Sequence, residues 1–389
     1  MNKILFFISF LHLIINCSEY AIHKPQHYAH EQFSLKMLHA AYKPTNNIHL
    51  CPLAIETTLK ALSFGSYKIT QYEFQSILKN PLKLEEINEF HQQVMQNLQT
   101  ALNKGEYTQK QALFVSHTIT IDANFLNLIQ KICPFEILQE DIQKTAGTKV
   151  QEWLFSRFKK TLYKFNEFEI KESKGKISPI NYIDFNLFWQ YPFDPLMTSI
   201  DSFQFNTPSK TEGIVDMMQQ ILSADYYEDE LIQAIELPLE NHLSCLIFLP
   251  KNDEMQKLIE LAAKPLYLKK IVSKMKKTLV DLKLPKIHLD QPIYYKEALL
   301  KMGFNQPFSK LADFKGIDPL HALSLDCPIQ ICKISFQEGG INTDSIQKQK
   351  KYLPAKPEIS MTVSHPFLFF IIDSRDLTIF DMGCYQTPY

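Results

Sequence analysis

The side chains best suited to chemistry in this chain are three histidines near its start and two cysteines near its end. His27 and His30 have the spacing that places two imidazoles on one face of a helix, and His23 lies just before them. Such a pair could ligate a metal or meet an acidic ligand, although a solvated polar leader is the commoner explanation. Cys327 and Cys332 also suggest a metal site, but no histidine or aspartate cluster accompanies them along the chain. We therefore expect small buried hydrophobic side chains at both cysteines, and no metal site.

Other reactive groups follow no catalytic pattern. The serine, histidine and aspartate residues are dispersed, and the sequence has no nucleotide-binding loop or catalytic triad motif. We therefore expect neither an enzyme nor a bound cofactor. One basic cluster could bind a heparin-like polyanion or be the solvated face of a helix. Its members are Lys269, Lys270, Lys274, Lys276 and Lys277.

The composition is that of a globular protein without a strong electrostatic field. Of its 389 residues, 45% are hydrophobic, which is enough to bury a large core. A formal net charge of -1 gives no global attraction to nucleic acid or to a membrane. Ten glycines and no low-complexity tract argue against repeats and long linkers. We expect a compact chain that acts as a monomer.

The first 18 residues have the order of a secretory signal peptide. Lys3 precedes an apolar run at residues 4–15, and the small residues Cys17 and Ser18 follow it. The run is too short to span a bilayer, so we predict a signal peptide at residues 1–18 and a secreted mature chain, with a buried N-terminal helix as the alternative. Six cysteines then remain, and their pairing cannot be deduced from the sequence.

An exposed loop between a glycine hinge and a buried strand organises the C-terminal part of the chain. Gly339 and Gly340 follow Glu338, and a glycine pair can pivot because glycine tolerates positive φ. The next residues carry almost no apolar pattern as far as Lys351. Residues 366–372 then form an apolar run that predicts a buried strand. A hinge therefore leads into an exposed loop, which returns to the core.

The segments before this loop follow one another in a characteristic order. They comprise residues 46–65, 111–116, 181–195, 236–238, 246–250 and 282–286. Together with the glutamate, glycine, loop and His-Pro-Phe order, they resemble the serpin family, in particular its secreted, clade A-like members. The resemblance implies an α+β fold in a single domain at residues 19–389. It also implies three β-sheets, about nine helices and an exposed reactive-centre loop at about residues 338–364.

The resemblance also places demands on the loop. Inhibitory serpins let a protease cut the loop, which then inserts as a new central strand of the main sheet, and an inserting strand alternates faces. Their hinge glycine is followed by threonine or serine and then by small residues. The corresponding hinge here is Glu338, Gly339, Gly340 and Ile341. Because Ile341 is large, and because burying Gln347 and Gln349 would cost roughly 1–3 kcal/mol each, we expect impaired insertion. The scissile bond would fall at Pro354 and Ala355, beside bonds to proline that are poor protease substrates.

The resemblance locates a second departure in the shutter, the part of the main sheet that opens during insertion. Cys51 and Ala54 stand where the family has two serines, and Gln330 stands where it usually has a histidine. Asn181 and Trp189 match the family's shutter and breach residues. A shutter that has lost hydroxyl partners would open and close differently. Together, the hinge, the scissile region and the shutter predict a non-inhibitory serpin.

Among non-inhibitory serpins, the resemblance favours carriers of small hydrophobic ligands such as hormones, bile pigments or alkaloids. In hormone carriers the pocket lies between the first helix, a later helix and two late strands. The residues at these positions are Gln26, Lys269, Val272, Met275 and Leu377. Val272, Met275 and Leu377 would form an apolar slot, with Lys269 at its rim to meet a carboxylate. The alternatives are ordinary core packing of these residues, a serine protease inhibitor, and an inert interaction partner.

Overall fold

The computed structural model describes nine segments of the chain. They are residues 25–79, 84–102, 105–132, 135–140, 148–158, 176–206, 212–251, 254–345 and 356–387. The predicted signal peptide, His23, Cys133 and the predicted scissile residues Pro354 and Ala355 lie outside them. Within the described segments, no helix is long and apolar enough to cross a membrane.

Nine α-helices occur in these segments, in agreement with the expected number. They are α1 Pro25–Ala41, α2 Pro52–Ser63, α3 Lys68–Leu78, α4 Leu84–Ala101, α5 Ala123–Ile132, α6 Thr148–Phe158, α7 Met255–Ala262, α8 Tyr267–Val272 and α9 Lys296–Lys301. Helix α2 begins at Pro52, where a proline is tolerated because the first helical N–H has no partner within the helix. All twelve of its residues are buried, so it forms the central helix of the core.

Seventeen β-strands accompany the helices in the described segments. They are β1 Ile48–Leu50, β2 Glu106–Val115, β3 Glu136–Gln139, β4 Ile177–Phe188, β5 Ser199–Gln204, β6 Glu212–Glu228, β7 Ile232–Pro238, β8 Leu243–Pro250, β9 Lys276–Pro285, β10 His288–Leu289, β11 Ile293–Tyr294, β12 Ile329–Cys332, β13 Ile334–Ser335, β14 Gly340–Ile341, β15 Ile359–Thr362, β16 Phe367–Asp373 and β17 Ile379–Tyr385. They form sheets of nine, six and two strands. The three sheets and nine helices confirm the expected α+β fold.

The nine-stranded sheet runs β1-β17-β16-β8-β7-β6-β9-β15, with β5 paired to β6. Strand β16 lies between β17 and β8, and all seven of its residues are buried. Burial on both faces explains its unbroken apolar sequence, so the strand predicted at residues 366–372 is confirmed. Strand β15 pairs with β9, so the exposed loop ends before Ile359 and not at residue 364 as predicted.

The six-stranded sheet runs β11-β12-β4-β2-β3, and β14 is added beside β4. Strands β12 and β4 are parallel neighbours, paired from Ile329 and Ile180 to Cys332 and Ile183. No strand separates them over this stretch. The short β10 and β13 form the third sheet. The six-stranded sheet corresponds to the main sheet of the serpin resemblance, and it is closed where β12 pairs with β4. In the described segments, residues of the loop enter it at its upper end, beside Leu187 and Phe188 of β4.

The N-terminal histidines are part of the core. His27 and His30 lie on α1, and both side chains are buried. The Nδ1 atom of His30 contacts the Glu56 carboxylate at 2.5 Å, and its Nε2 donates to the Ile379 carbonyl at 2.9 Å. The solvated leader predicted for them is wrong, because the helix packs against α2 and the segment that leads into β17, where His27 meets the Thr378 hydroxyl and His30 meets Glu56.

A buried charge cluster joins α1 to α2. The carboxylate of Glu56 lies 2.6 Å from the Lys60 ammonium on one side and 2.5 Å from His30 on the other. All three side chains are buried. Burial acts to raise the pKa of Glu56, but Lys60 and His30 outweigh it, and the pKa falls from 4.5 to about 2.

Acid should weaken this region in two steps. Burial and the nearby Lys60 lower the pKa of His91, on α4, from 6.5 to about 4. Both His91 and Glu56 bind protons more weakly in the folded chain than in the unfolded chain, so their stabilisation is lost as the pH falls. We expect the free energy of unfolding to decrease from about pH 6.5 to 4 through His91 and from about 4.5 to 2 through Glu56.

Urea midpoints measured across this pH range would test the two steps. The variant His91→Gln should lose the upper step and keep the lower one. A stability that stayed constant down to the acid end of the range would contradict the role assigned to both groups.

Candidate functional site

The hinge of the loop is already part of the main sheet. Strand β14 pairs antiparallel with β4, with Gly340 opposite Phe188 and Ile341 opposite Leu187. Ile341 also bridges to Phe336 on its other side and is 0% exposed. The expectation that a large Ile341 would hinder entry is therefore wrong at this position, because an apolar pocket beneath the sheet receives the side chain. The hinge end of the predicted exposed loop is buried.

The two hinge glycines are required for close approach and not for a pivot. Among the described glycines, only Gly303 has a positive φ. A Cβ atom on Gly340 would lie 2.0 Å from the carbonyl oxygen of Leu187, and one on Gly339 would lie 2.4 Å from that of Ser345. The predicted left-handed pivot is therefore wrong. Only glycine allows the hinge backbone to come this close to β4 and to the start of the loop.

Asn342 provides the turn that the glycines do not. Its φ is 57°, in the left-handed region that asparagine tolerates better than most residues. Its side-chain oxygen accepts a hydrogen bond from the Ser335 N–H at 2.7 Å, and its amide donates to the carbonyls of Phe185 and Lys333 at 2.9 and 2.8 Å. Asn342 thus connects β4, through Phe185, to the segment around β13, through Lys333 and Ser335, and it directs the chain out of the sheet. Asn342 was not among the predicted site residues, although asparagine is a residue that favours turns.

The remaining hinge contacts hold the top of the sheet together. The Trp189 indole donates to the Gln337 carbonyl at 2.8 Å, and its backbone N–H donates to Gly339 at 3.1 Å. Glu338 forms an ion pair with Lys286 at 2.8 Å and accepts from the Thr198 hydroxyl at 2.9 Å. Burial alone would raise the pKa of Glu338, but these partners lower it below its ordinary value. Trp189 and Glu338 therefore lie together, as a breach and a hinge should.

The predicted shutter residues meet at the middle of the sheet. Gln330 on β12 pairs with Asn181 on β4. The Gln330 amide accepts from the N–H of Cys51 at 2.9 Å and donates to its carbonyl at 3.0 Å. Asn181 accepts from the Thr58 hydroxyl at 2.7 Å and donates to Tyr295 at 3.1 Å. The glutamine thus fastens the start of α2 to the sheet through the backbone, so it needs no hydroxyl from that segment.

Ala54 lies one turn into α2 and is fully buried. It belongs to the same apolar cluster as Cys51. The structure therefore brings Cys51, Ala54, Asn181 and Gln330 into one region, as the resemblance implied. Hydrogen bonding there passes through the side chains of Gln330, Asn181, Thr58 and Tyr295.

The predicted ligand-binding residues lie around α1 and α8. Gln26 is part-buried in the first turn of α1, and Lys269 and Val272 lie on α8. Met275 was expected on the same helix, but α8 ends at Val272 and Met275 follows it. Val272 and Met275 pack against the apolar cluster that contains Leu377. Leu377 has a φ of 62°, a conformation that costs a leucine on the order of 1–2 kcal/mol.

A buried carboxylate faces this region from α1. Burial raises the pKa of Glu31, while His30 and Lys269 act against this increase. Its Oε1 atom is buried and has no hydrogen-bond partner in the described part of the chain. Glu31 was not among the predicted site residues, because its polar surroundings in the sequence gave no sign that it would be buried.

Comparison with known proteins assigns the family. The model of the family described as serpin (serine protease inhibitor) matches residues 28–388. The chain is a serpin. Mouse thyroxine-binding globulin is 26% identical over 380 residues, which cover 92% of this chain and 87% of that protein. Human alpha-1-antichymotrypsin is 26% identical over 380 residues, covering 92% and 86%.

Solved structures show the same fold. Human thyroxine-binding globulin in complex with thyroxine matches with a TM-score of 0.77 and 24% identity, covering 94% of this serpin and 98% of that chain. The thermophilic serpin Tengpin in its native state matches with a TM-score of 0.82 and 19% identity, covering 94% and 95%. At this identity the structural similarity establishes the fold alone.

The serpin also contains a ligand-sized cavity away from the predicted ligand-binding residues. Its volume is about 680 Å³, and it lies between the end of α1, the segment before β1, and the segment from β10 to α9. Ile48 and Ile293 contribute apolar surface. Charged residues of both signs line the rest: Lys43 and Lys301 pair with Glu297, and His288 lies 3.3 Å from Asp290. None of the predicted ligand-binding residues lines it. It is therefore a second possible location for a small ligand.

The basic cluster of the serpin is divided between two elements. Lys269 and Lys270 lie on α8, whereas Lys276 and Lys277 begin β9, so the single helix face that was expected is wrong. Lys277 forms an ion pair with Asp225 at 2.8 Å. Because such pairing reduces the positive charge offered to a polyanion, binding of a heparin-like ligand remains a prediction.

Proposed function

We propose that this serpin is a secreted, non-inhibitory carrier of a small hydrophobic ligand and has no catalytic reaction of its own. The observation that carries this proposal is the unpartnered, buried Oε1 of Glu31, beside Lys269 and the apolar cluster. A buried polar atom without a partner costs about 1–3 kcal/mol, and a bound ligand can recover that cost. The thyroxine complex of a related serpin supports the same kind of cargo.

The region around Glu31 defines the class of ligand. Val272 and Met275 pack against the apolar cluster that contains Leu377, and Lys269 lies on the same helix as Val272 and carries a positive charge. Glu31, whose pKa burial raises, can donate a hydrogen bond when protonated. We therefore infer a cargo with an apolar, ring-sized body and one acidic or hydrogen-bonding group, the usual composition of a small-molecule pocket.

The first test is direct detection of the cargo. Native mass spectrometry and absorbance spectra of the protein purified from its source should show an additional mass, or an absorbance band, that disappears on denaturation. Purified protein that carries no additional mass, and that binds neither thyroxine nor any component of an extract of its source, would argue against a carrier.

Matched variants locate the site. With thyroxine or the purified cargo as probe, Lys269→Met should weaken binding about tenfold, which corresponds to the loss of about 1.4 kcal/mol. Lys274→Met is the control, because Lys274 lies over the Tyr227 ring in the same basic cluster. Ala41→Trp would obstruct the cavity beside α9. If Ala41→Trp abolishes binding and Lys269→Met does not, the cargo occupies the cavity and the predicted site is wrong.

A serine protease inhibitor remains the second candidate, and the inserted β14 favours it. A sheet that already accepts Gly340 and Ile341 shows that its upper end can open. In an inhibitor, a protease would be trapped when the cut loop completes this insertion. Loop cleavage distinguishes the two functions.

A further inference from the structure

Four ligand-type side chains meet beside the shutter. They are His49 on β1, Cys51 just before α2, Cys332 at the end of β12 and Asp381 on β17. All four are buried. We propose that these residues form a tetrahedral zinc site. This site is independent of the proposed ligand cleft, because it shares no residue with it.

The distances between the donor atoms suit one metal ion. The two sulfur atoms are 3.3 Å apart, and Asp381 Oδ2 lies 2.9 Å from Cys51 Sγ and 2.8 Å from His49 Nε2. Cys332 Sγ is 3.7 Å from His49 Nε2 and 3.9 Å from Asp381 Oδ2, and all four atoms lie within 4.8 Å of one another. Zinc bonds of about 2.0–2.3 Å place tetrahedral ligands about 3.3–3.8 Å apart. Shifts of less than about 1 Å would therefore complete the tetrahedron.

The donor set selects the type of metal. Two thiolates, an imidazole and a carboxylate are ligands that zinc accepts together, whereas magnesium and calcium prefer oxygen alone. Zinc also has no redox chemistry, so the site needs no electron donor or acceptor. The ligands leave no open position, which makes the site structural and not catalytic.

A second observation concerns the carboxylate itself. Asp381 is 2% exposed, and its Oδ1 atom has no hydrogen-bond partner in the described segments. Its Oδ2 atom already accepts hydrogen bonds from the Cys51 thiol and from His49. A buried carboxylate with one oxygen unpartnered is costly, and a metal ion would neutralise its charge directly.

The surroundings support the ligands. Gln330 holds the backbone of Cys51 through two hydrogen bonds, which fixes one ligand in place. His49 also lines the 680 Å³ cavity, so the cluster borders that cavity through one of its own ligand residues. A ligand that its neighbours hold in place is a requirement of a metal site.

Zinc would connect the two large sheets. His49 and Asp381 belong to the nine-stranded sheet, whereas Cys332 belongs to the six-stranded sheet and Cys51 leads into α2. An ion bound to all four would fasten β12 to the strands behind it. Because β12 borders the position where a loop strand enters, zinc would oppose opening of the main sheet.

The test uses the full mature chain with zinc and cobalt as probes. Elemental analysis after gel filtration should give one zinc per chain. Cobalt added after zinc removal should give intense visible bands and a near-ultraviolet thiolate band, as tetrahedral cobalt with sulfur ligands does. Cys332→Ala should lower zinc affinity by more than about 100-fold, exceeding the 10–100-fold loss typical of an outer-shell change. Cys327→Ala, which removes another buried cysteine outside the cluster, should leave it unchanged.

Three results would overturn the proposal. The first is a chain that retains no zinc and gives no tetrahedral cobalt spectrum, with Cys51 and Cys332 alkylated as free thiols, which would indicate a cluster joined by hydrogen bonds alone. The second is a disulfide-linked peptide containing Cys51 and Cys332 in a non-reduced digest. The third is equal zinc binding by both cysteine variants. If Cys332→Ala fails to fold, the wild-type zinc content and cobalt spectrum still decide the question.

Discussion

Cleavage of the loop near Ala355 is expected to change the thermal midpoint of unfolding by no more than about 4 °C, roughly the effect of 1 kcal/mol in a large domain. Ile341 points into the apolar cluster beneath the sheet, which fixes the face of every later residue. Residues an even number of positions further on share that face, so full insertion would bury Gln347 and Gln349. Unpaired amides there cost about 1–3 kcal/mol each and oppose insertion.

Asn342 opposes insertion as well. Its side chain occupies the gap between Phe185 and Lys333, and its four hydrogen bonds, to Ser335, Phe185 and Lys333, would have to break before a further residue could enter. A nonspecific protease and a thermal unfolding scan before and after cutting would measure the effect. The triple variant Asn342→Thr, Gln347→Ala and Gln349→Ala is the matched control, and its midpoint should rise on cleavage. A large rise in the unmodified chain would instead restore the protease inhibitor as the leading function.

Replacement of Glu56 by glutamine is expected to lower the free energy of unfolding by about 3–5 kcal/mol. Glu56 lies between the Lys60 ammonium and His30, and all three are buried. Glutamine keeps the shape but removes the charge, so the ammonium of Lys60 would remain buried without its counter-ion. Urea unfolding at neutral pH would measure this loss.

The control for this prediction is another glutamate in an ion pair. Glu254 contacts Lys257 at 2.9 Å, but both side chains are exposed. Glu254→Gln should cost less than about 1 kcal/mol, because water screens the pair. The double variant Glu56→Gln, Lys60→Met should recover part of the stability lost by Glu56→Gln. Equal costs for the two single glutamine variants would show that the buried cluster contributes little.

The sequence predicted the elements whose signals are local. The strand at residues 366–372 was predicted because burial on both faces leaves an unbroken apolar run, and α2 because a proline marks its start. The order of such segments was also enough to identify the family and hence the three sheets. The predicted ends of the exposed loop were less accurate, because Ile341 pairs with β4 and Ile359 pairs with β9, and both of these strands are distant in the sequence.

The sequence did not predict contacts between distant segments. Cys332 appeared to have no metal-ligand neighbours because His49 and Asp381 lie far from it along the chain, and the fold alone brings them together. His30 was expected in solvent because its partners, Glu56 and Ile379, belong to other elements. A polar residue with a remote partner has the same local sequence signal as a polar residue in water.

The pairing of β1 with β17 has a consequence for how this chain is made. The two strands are separated by most of the sequence, yet His49 lies opposite Gly383, and His30 on α1 donates to Ile379. At about 5–20 residues per second, the ribosome needs roughly 20–70 s to reach the last strand after it has made the first. During that interval the N-terminal helix α1 and strand β1 have no β17 to cover them, so their apolar surface stays exposed. Premature termination before β17 would therefore leave the earliest segments of the protein without their partner.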